Sequence, residues 1–204
     1  MKKWPMWLLL AAFLPTLQGC LPLVAGGVAG GVLVGADRRT TGVYVDDETI
    51  ELKLTQQLQS ELSDAHINVT SFNRVVLISG EVRDQAARSK VDLLARAIPN
   101  VRRVFNQTVV DVTSTIGNRL NDASLTSKVK ARMVHANLFS PNHIKVISER
   151  GEVFLMGLVT PEEGGAAARI ASETSGVLKV HALFEYIDPK MSQSAPVAPV
   201  SNNN

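Results

Sequence analysis

One cysteine and four histidines are the residues of this 204-residue chain most able to do chemistry. A single thiol, Cys20, excludes an internal disulfide and a thiolate metal cluster. His66, His135, His143 and His181 are scattered, and no ligand motif joins even the closer pair, His135 and His143. No metal site is expected from such spacing. There is no G-x-S-x-G elbow, no Walker loop and no H-E-x-x-H helix. Gly164-Gly165 lies in a helical stretch and reads as close packing or local flexibility, not as a phosphate cradle. The chain therefore reads as a non-enzyme without a bound cofactor.

The surroundings of Cys20 say what the thiol is for. Lys2 and Lys3 precede an apolar stretch from Trp4 to Leu17, which ends in Leu17-Gln18-Gly19-Cys20. This order is that of a secretory signal. The last four residues resemble a bacterial lipobox, with Gln18 a departure where a small residue is usual. The resemblance implies cleavage after Gly19, a signal peptide over 1–19, and N-acyl and S-diacylglycerol groups on Cys20, palmitate among them. Each buried acyl CH₂ contributes about 0.8 kcal/mol, so several chains anchor stably. Leu21 follows, with no Asp to hold the protein at the inner membrane, so outer-membrane anchorage is implied. Residues 20–45 read as a glycine-rich apolar tether and 189–204 as a disordered tail rich in Pro, Ser and Asn.

Composition sets further bounds. The chain has 21 basic and 19 acidic residues, a balance too weak for a general nucleic-acid binder. The excess of two is Lys2 and Lys3, which leave with the leader. Aromatic residues are only 5%, which argues against a sugar-stacking platform.

The middle of the chain repeats itself. Asp47, Ile50, Lys53 and Leu58 have counterparts in Asp122, Leu125, Lys128 and Met133. Val76-Leu77-Ile78-Ser79-Gly80-Glu81-Val82 matches Val153-Phe154-Leu155-Met156-Gly157-Leu158-Val159. Each copy reads as helix, strand, strand, helix, strand. The first helices carry stripes of Ile50, Leu54, Leu58 and Leu62, or of Leu125, Val129, Met133 and Ala136. Strands follow at Ile67–Ser71 and Val75–Ser79, or at Ile144–Ile147 and Glu152–Met156, where Gly80 or Gly157 should let the chain bend away. Asp84 or Thr160-Pro161-Glu162-Glu163 opens a second helix. A last strand spans Val101–Val112 or Val177–Ile187. The expected fold is α+β: two tandem α-β-β-α-β units at 46–114 and 121–188, joined by a linker at 115–120. Each is a small three-stranded sheet with two helices on one face.

The pattern I-x-V, then V-x-L-x-G-x-V, a helix and V-x-x-V, present twice behind a lipobox, resembles the BON domain of Gram-negative outer-membrane lipoproteins. Its carriers are Ile67-Asn68-Val69, Val75 to Gly80, Ile144-Lys145-Val146 and Gly151 to Val159. The likeness covers roughly Val45 to Ile187. It implies a periplasm-facing protein that supports envelope integrity, with a role at cell division. It also implies phospholipid binding through the second unit, and outer-membrane assembly or division proteins as partners.

Charge separates the copies. The first-copy helix region carries Asp46, Asp47, Glu48, Glu51, Glu61 and Asp64 against Lys53, while 122–139 carries Lys128, Lys130 and Arg132 against Asp122. At 100° per residue, Lys128, Arg132 and His135 flank the core stripe of the second helix. Val134 and Leu138 fall opposite the core, and Phe139 extends the helix end. Cations around extra apolar groups suit an anionic phospholipid surface. Lys128, Lys130, Arg132, Val134, Leu138 and Phe139 are the candidate lipid-binding residues. The alternatives are that Val134 and Leu138 pack on the first copy, that the cations form a solvated face or pair with the acidic helix, or that the chain is a periplasmic protein-binding scaffold touching the membrane only through its anchor.

Overall fold

The computed structural model describes residues 37–189. The signal peptide, Cys20, the glycine-rich stretch up to Ala36 and the segment from Lys190 lie outside the described residues. Copy one comprises α1 (Thr41–Glu61), β1 (His66–Phe72), β2 (Val75–Val82), α2 (Gln85–Ala97) and β3 (Arg103–Val110). Copy two comprises α3 (Ile116–Ala136), β4 (Ile144–Glu149), β5 (Glu152–Val159), α4 (Pro161–Ser172) and β6 (Lys179–Tyr186), with a 3₁₀ turn at Pro141–His143 before β4. The α+β arrangement of two α-β-β-α-β units is therefore present.

Each helix has a local reason to start where it does. Thr40, Asp84 and Thr115 each accept a hydrogen bond from the backbone N–H three residues on. Thr160 and Glu163 form a reciprocal capping box with Pro161 at the first helical position. The caps also correct two boundaries. Helix α1 begins inside the stretch read as tether. The stretch 115–120, read as a linker, is the cap and first turn of α3. Asn118 and Asn121 are poor helix formers, but the Thr115 cap and packing of Asp122 and Leu125 override that preference.

Within each copy the sheet has the same order: β1–β2 antiparallel and β2–β3 parallel, then β4–β5 antiparallel and β5–β6 parallel. The parallel pairs need a crossover, which α2 and α4 supply. The hairpin turns are two residues long, Asn73-Arg74 and Arg150-Gly151. All four of these residues have positive φ, as a turn matched to strand twist requires.

The central strands do not end at their glycines. β2 runs through Gly80 and β5 through Gly157. The reason for glycine is close approach of the neighbouring strand. A Cβ on Gly80 would lie 2.0 Å from His66 O, and one on Gly157 would lie 2.5 Å from His143 O. The last strands are shorter at both ends than read from sequence, and each is followed by a single further hydrogen bond, from Asp111 N–H to Val82 O and from Ile187 N–H to Val159 O.

Helices cover one face of each sheet. Ile50, Leu54 and Leu58 pack with Val76, Ile78 and Val91 in copy one. Leu125, Val129 and Met133 pack with Val153, Leu155 and Ala167 in copy two. The bare faces of the two sheets meet each other through Phe72, Val75, Leu77, Phe154 and Met156. This is why every residue of β2 is buried. Polar contacts ring that apolar middle. Asn73 and Arg102 both reach Glu185, and Lys145 Nζ lies 2.7 Å from Glu51 Oε1.

Candidate functional site

The second-copy helix α3 is fixed on one side by Asp122, Leu125, Val129 and Met133, all buried. Its opposite side is apolar where water would be expected. Ile116, Leu120, Ala123, Ser127 and Val134 fall within about 60° of one another at 100° per residue. Ile116 is 76% exposed, Leu120 65% and Val134 59%. Ile116 and Leu120 lie one turn apart, with Val134 on the same face about 21 Å further along the helix, an arrangement that suits contact with an apolar phase. Arg119 and Lys130 border the stripe on one side, while Lys128, Arg132 and His135 lie farther round the helix, towards the edge of the buried stripe.

Five of the six candidate residues are exposed, and one is not. Lys128, Lys130, Arg132, Val134 and Leu138 are exposed. Lys128 and Lys130 carry no ion pair among the described residues. Arg132 is partly engaged, donating to Glu173 O and lying 3.6 Å from its carboxylate. Leu138 is 57% exposed but stands beyond the helix, not on it. Phe139 is only 8% exposed and belongs to the copy-two core. The cause is Asn137, which caps the helix in the left-handed conformation and turns the chain so that Phe139 folds back beneath it. A helical wheel carried past position 137 therefore misplaces Phe139.

Ile116 and Leu120 were missed because their segment reads as a linker. The signal was present: Ile116, Leu120, Ala123, Ser127 and Val134 keep steps of three, four and seven residues, the spacing of one helix face.

The copies share a core but not this face. Counting from Asp47 and Asp122, copy one has Lys53, Thr55 and Gln57 where copy two has Lys128, Lys130 and Arg132. The fold is built in copy one without the last two cations, so their presence in copy two is not a folding requirement. Nor are the cations spent on the acidic helix. Among the described residues, the ion pairs of α1 run to Arg39, Arg74, Lys90 and Lys145.

Val134 does not bury itself on copy one, but it lines a shallow groove shared with it. The groove has a volume of about 290 Å³ and includes Arg39, Phe72, Lys130, Val134, Pro141 and Lys145. Arg39 stacks over the Phe72 ring at 4.2 Å and pairs with Asp47 at 2.8 Å. No helix among the described residues is long and apolar enough to cross a membrane.

The BON domain family model matches residues 46–111 and 121–188. The chain is 38% identical over 175 residues to the Outer membrane lipoprotein DolP of Haemophilus influenzae, covering 84% of this chain and 91% of that protein. This chain belongs to the dual-BON outer-membrane lipoproteins. The BON units thus have a lipid anchor and an outer-membrane location. The 21 kDa hemolysin of Actinobacillus pleuropneumoniae is 30% identical over 154 residues, covering 74% of this chain and 79% of that protein. Osmotically-inducible protein Y of Escherichia coli is 26% identical over 157 residues, covering 74% of this chain and 78% of that protein.

Proposed function

We propose that this dual-BON lipoprotein, held by an acylated Cys20 and facing the periplasm, docks the outer face of α3 on anionic phospholipid. In this reading it is non-enzymatic and supports envelope integrity. The observation that carries the reading is the exposure of Ile116, Leu120 and Val134 on one face of α3, with Lys130 beside them and Lys128 farther round the helix, neither lysine in an ion pair among the described residues. Apolar side chains enter the headgroup boundary while each cation gains about 1 kcal/mol from the anionic layer.

Co-sedimentation of the chain without residues 1–20 with vesicles tests it, because that chain lacks both the apolar leader and the acyl anchor. Vesicles containing phosphatidylglycerol should retain the protein, and phosphatidylcholine vesicles should not. Binding should weaken as salt rises. Lys128→Glu with Lys130→Glu should abolish retention. Equal binding to both vesicles, or none to either, overturns the reading. The latter favours the protein-binding scaffold that touches the membrane only through its anchor.

A further inference from the structure

His66, Glu81 and Glu149 converge where the two sheets face each other. His66 opens β1, Glu81 lies near the end of β2 and Glu149 ends β4. The group therefore draws on both copies. Glu81 is 1% exposed and Glu149 6%. His66 Nδ1 lies 2.9 Å from Glu81 Oε2, and one donor atom from each of the three residues falls within 4.8 Å of the others.

Two buried carboxylates brought together from separate copies need compensating positive charge. Glu81 has some: His66 at 2.9 Å and Arg150 Nη1 at 3.5 Å, besides the Ser114 N–H at 3.2 Å. Among the described residues, Glu149 receives only neutral donors, Asn68 Nδ2 at 2.7 Å and Ser79 Oγ at 3.4 Å. Burial first, then the neighbouring Glu81 and Asp122 charges, push the Glu149 carboxyl above its ordinary range, although Asn68 and His66 oppose this.

The repeat shows that the fold does not demand this trio. The strand registers set His66 against His143, Glu81 against Leu158 and Glu149 against Phe72. The pseudo-equivalent place thus holds a phenylalanine and a leucine where this one holds two carboxylates. Polar side chains have been placed at one of two matching positions, and an imidazole nitrogen stands beside them.

We propose that His66, Glu81 and Glu149 bind one divalent transition-metal ion of the zinc class, joining copy one to copy two. One nitrogen and two carboxylate oxygens suit zinc better than calcium or magnesium, which prefer all-oxygen shells. Donors about 2.0–2.1 Å from a tetrahedral zinc stand about 3.3 Å apart. The His66–Glu81 separation of 2.9 Å and the outer limit of 4.8 Å for the three donors bracket that value. An open cavity of about 310 Å³, lined by His66, Asn68, Arg119, Thr126, Ser148 and Glu149, gives the ion a way in and room for a water ligand. A metal ion takes a neutral imidazole nitrogen and carboxylate oxygens as its ligands.

The test is zinc titration of the full chain in detergent at pH 7, by equilibrium dialysis with metal analysis, alongside thermal unfolding. The expected result is one saturable zinc per chain at micromolar concentration, a higher Tm with ZnCl₂ and no change with MgCl₂. His66→Ala and Glu149→Gln should each lose that zinc and the Tm shift, while His135→Ala, on an exposed helix face, should keep both. Glu149→Gln preserves shape and removes the charge. His66→Asn provides a second probe if either variant lacks a native circular dichroism spectrum. No saturable zinc in the parent chain, or unchanged stoichiometry in variants of both His66 and Glu149, overturns the proposal.

Discussion

Asp47 and Asp122 occupy the same post in the two copies: each lies buried on its copy's first helix and accepts both backbone N–H groups of the hairpin turn. Asp47 takes those of Asn73 and Arg74 at 2.8 and 2.7 Å, and Asp122 takes those of Arg150 and Gly151, both at 2.9 Å. A charged acceptor on a helix thus fixes where the β-hairpin docks. Asp47 also holds Ser71 Oγ and Arg39.

Asp122→Ala should therefore cost about 3 kcal/mol, since two amides lose a charged acceptor at a buried site. Asp47→Ala should cost more, because it strands two further donors. Urea unfolding of the Cys20→Ser chain checks both, and a larger loss at Asp122 than at Asp47 contradicts the account.

The glycines should divide by what a methyl group would meet. Gly80→Ala should be the most damaging, because its Cβ would strike His66 O and the residue holds φ at 113°. Gly157→Ala should be damaging too, for its clash with His143 O. Gly165→Ala should instead raise stability by about 0.5–1 kcal/mol, since nothing lies within 4 Å and the residue is helical. The Tm values of the three variants decide the order.

Acid should loosen the attachment of the segment before α1. Arg38 donates twice to Glu163, at 2.6 and 2.9 Å. Burial alone would raise the Glu163 carboxyl, but Arg38, the Thr160 N–H and His143 outweigh it and hold it below the ordinary carboxylate range. A depressed carboxyl stabilises the fold above its unfolded value, and that contribution fades as pH falls through the folded value. Glu163→Gln should lose about 2 kcal/mol at pH 7 and flatten the decline of Tm between the two values. An unchanged acid limb would contradict the assignment.

Phe139 and Leu138 should behave as opposites although they are adjacent. Phe139→Ala should cost about 3–5 kcal/mol through a core cavity. Leu138→Ser should leave unfolding within about 0.5 kcal/mol of the parent. Ile116→Ser with Leu120→Ser should weaken vesicle retention severalfold, again with little change in Tm. Denaturation and co-sedimentation on the same preparations separate packing from docking.

Much of the fold was legible because its signals are local. The stripes of Ile50, Leu54 and Leu58 and of Leu125, Val129 and Met133, the Thr160 capping box and the duplicated glycine motif all lie within short windows. The N-terminus of α3 was not, since Asn118 and Asn121 oppose a helix that only the Thr115 cap and packing enforce. Nor was the reversal at Asn137 that buries Phe139. The meeting of His66, Glu81 and Glu149 was beyond reach, because it depends on how the sheets face each other and not on spacing within either copy.

The back-to-back sheets give the duplication a physical meaning. A lone copy would present Phe72, Val75, Leu77 and Phe105 to water. Two such units on separate chains would have to find each other by diffusion, as a homodimer does. The tandem chain is in effect that dimer with its subunits fused, so association becomes intramolecular and independent of protein concentration. Fusion also frees the halves to diverge, since symmetry no longer obliges a change on one outer helix to appear on the other. An acidic α1 and a basic α3 on one chain are what that freedom permits.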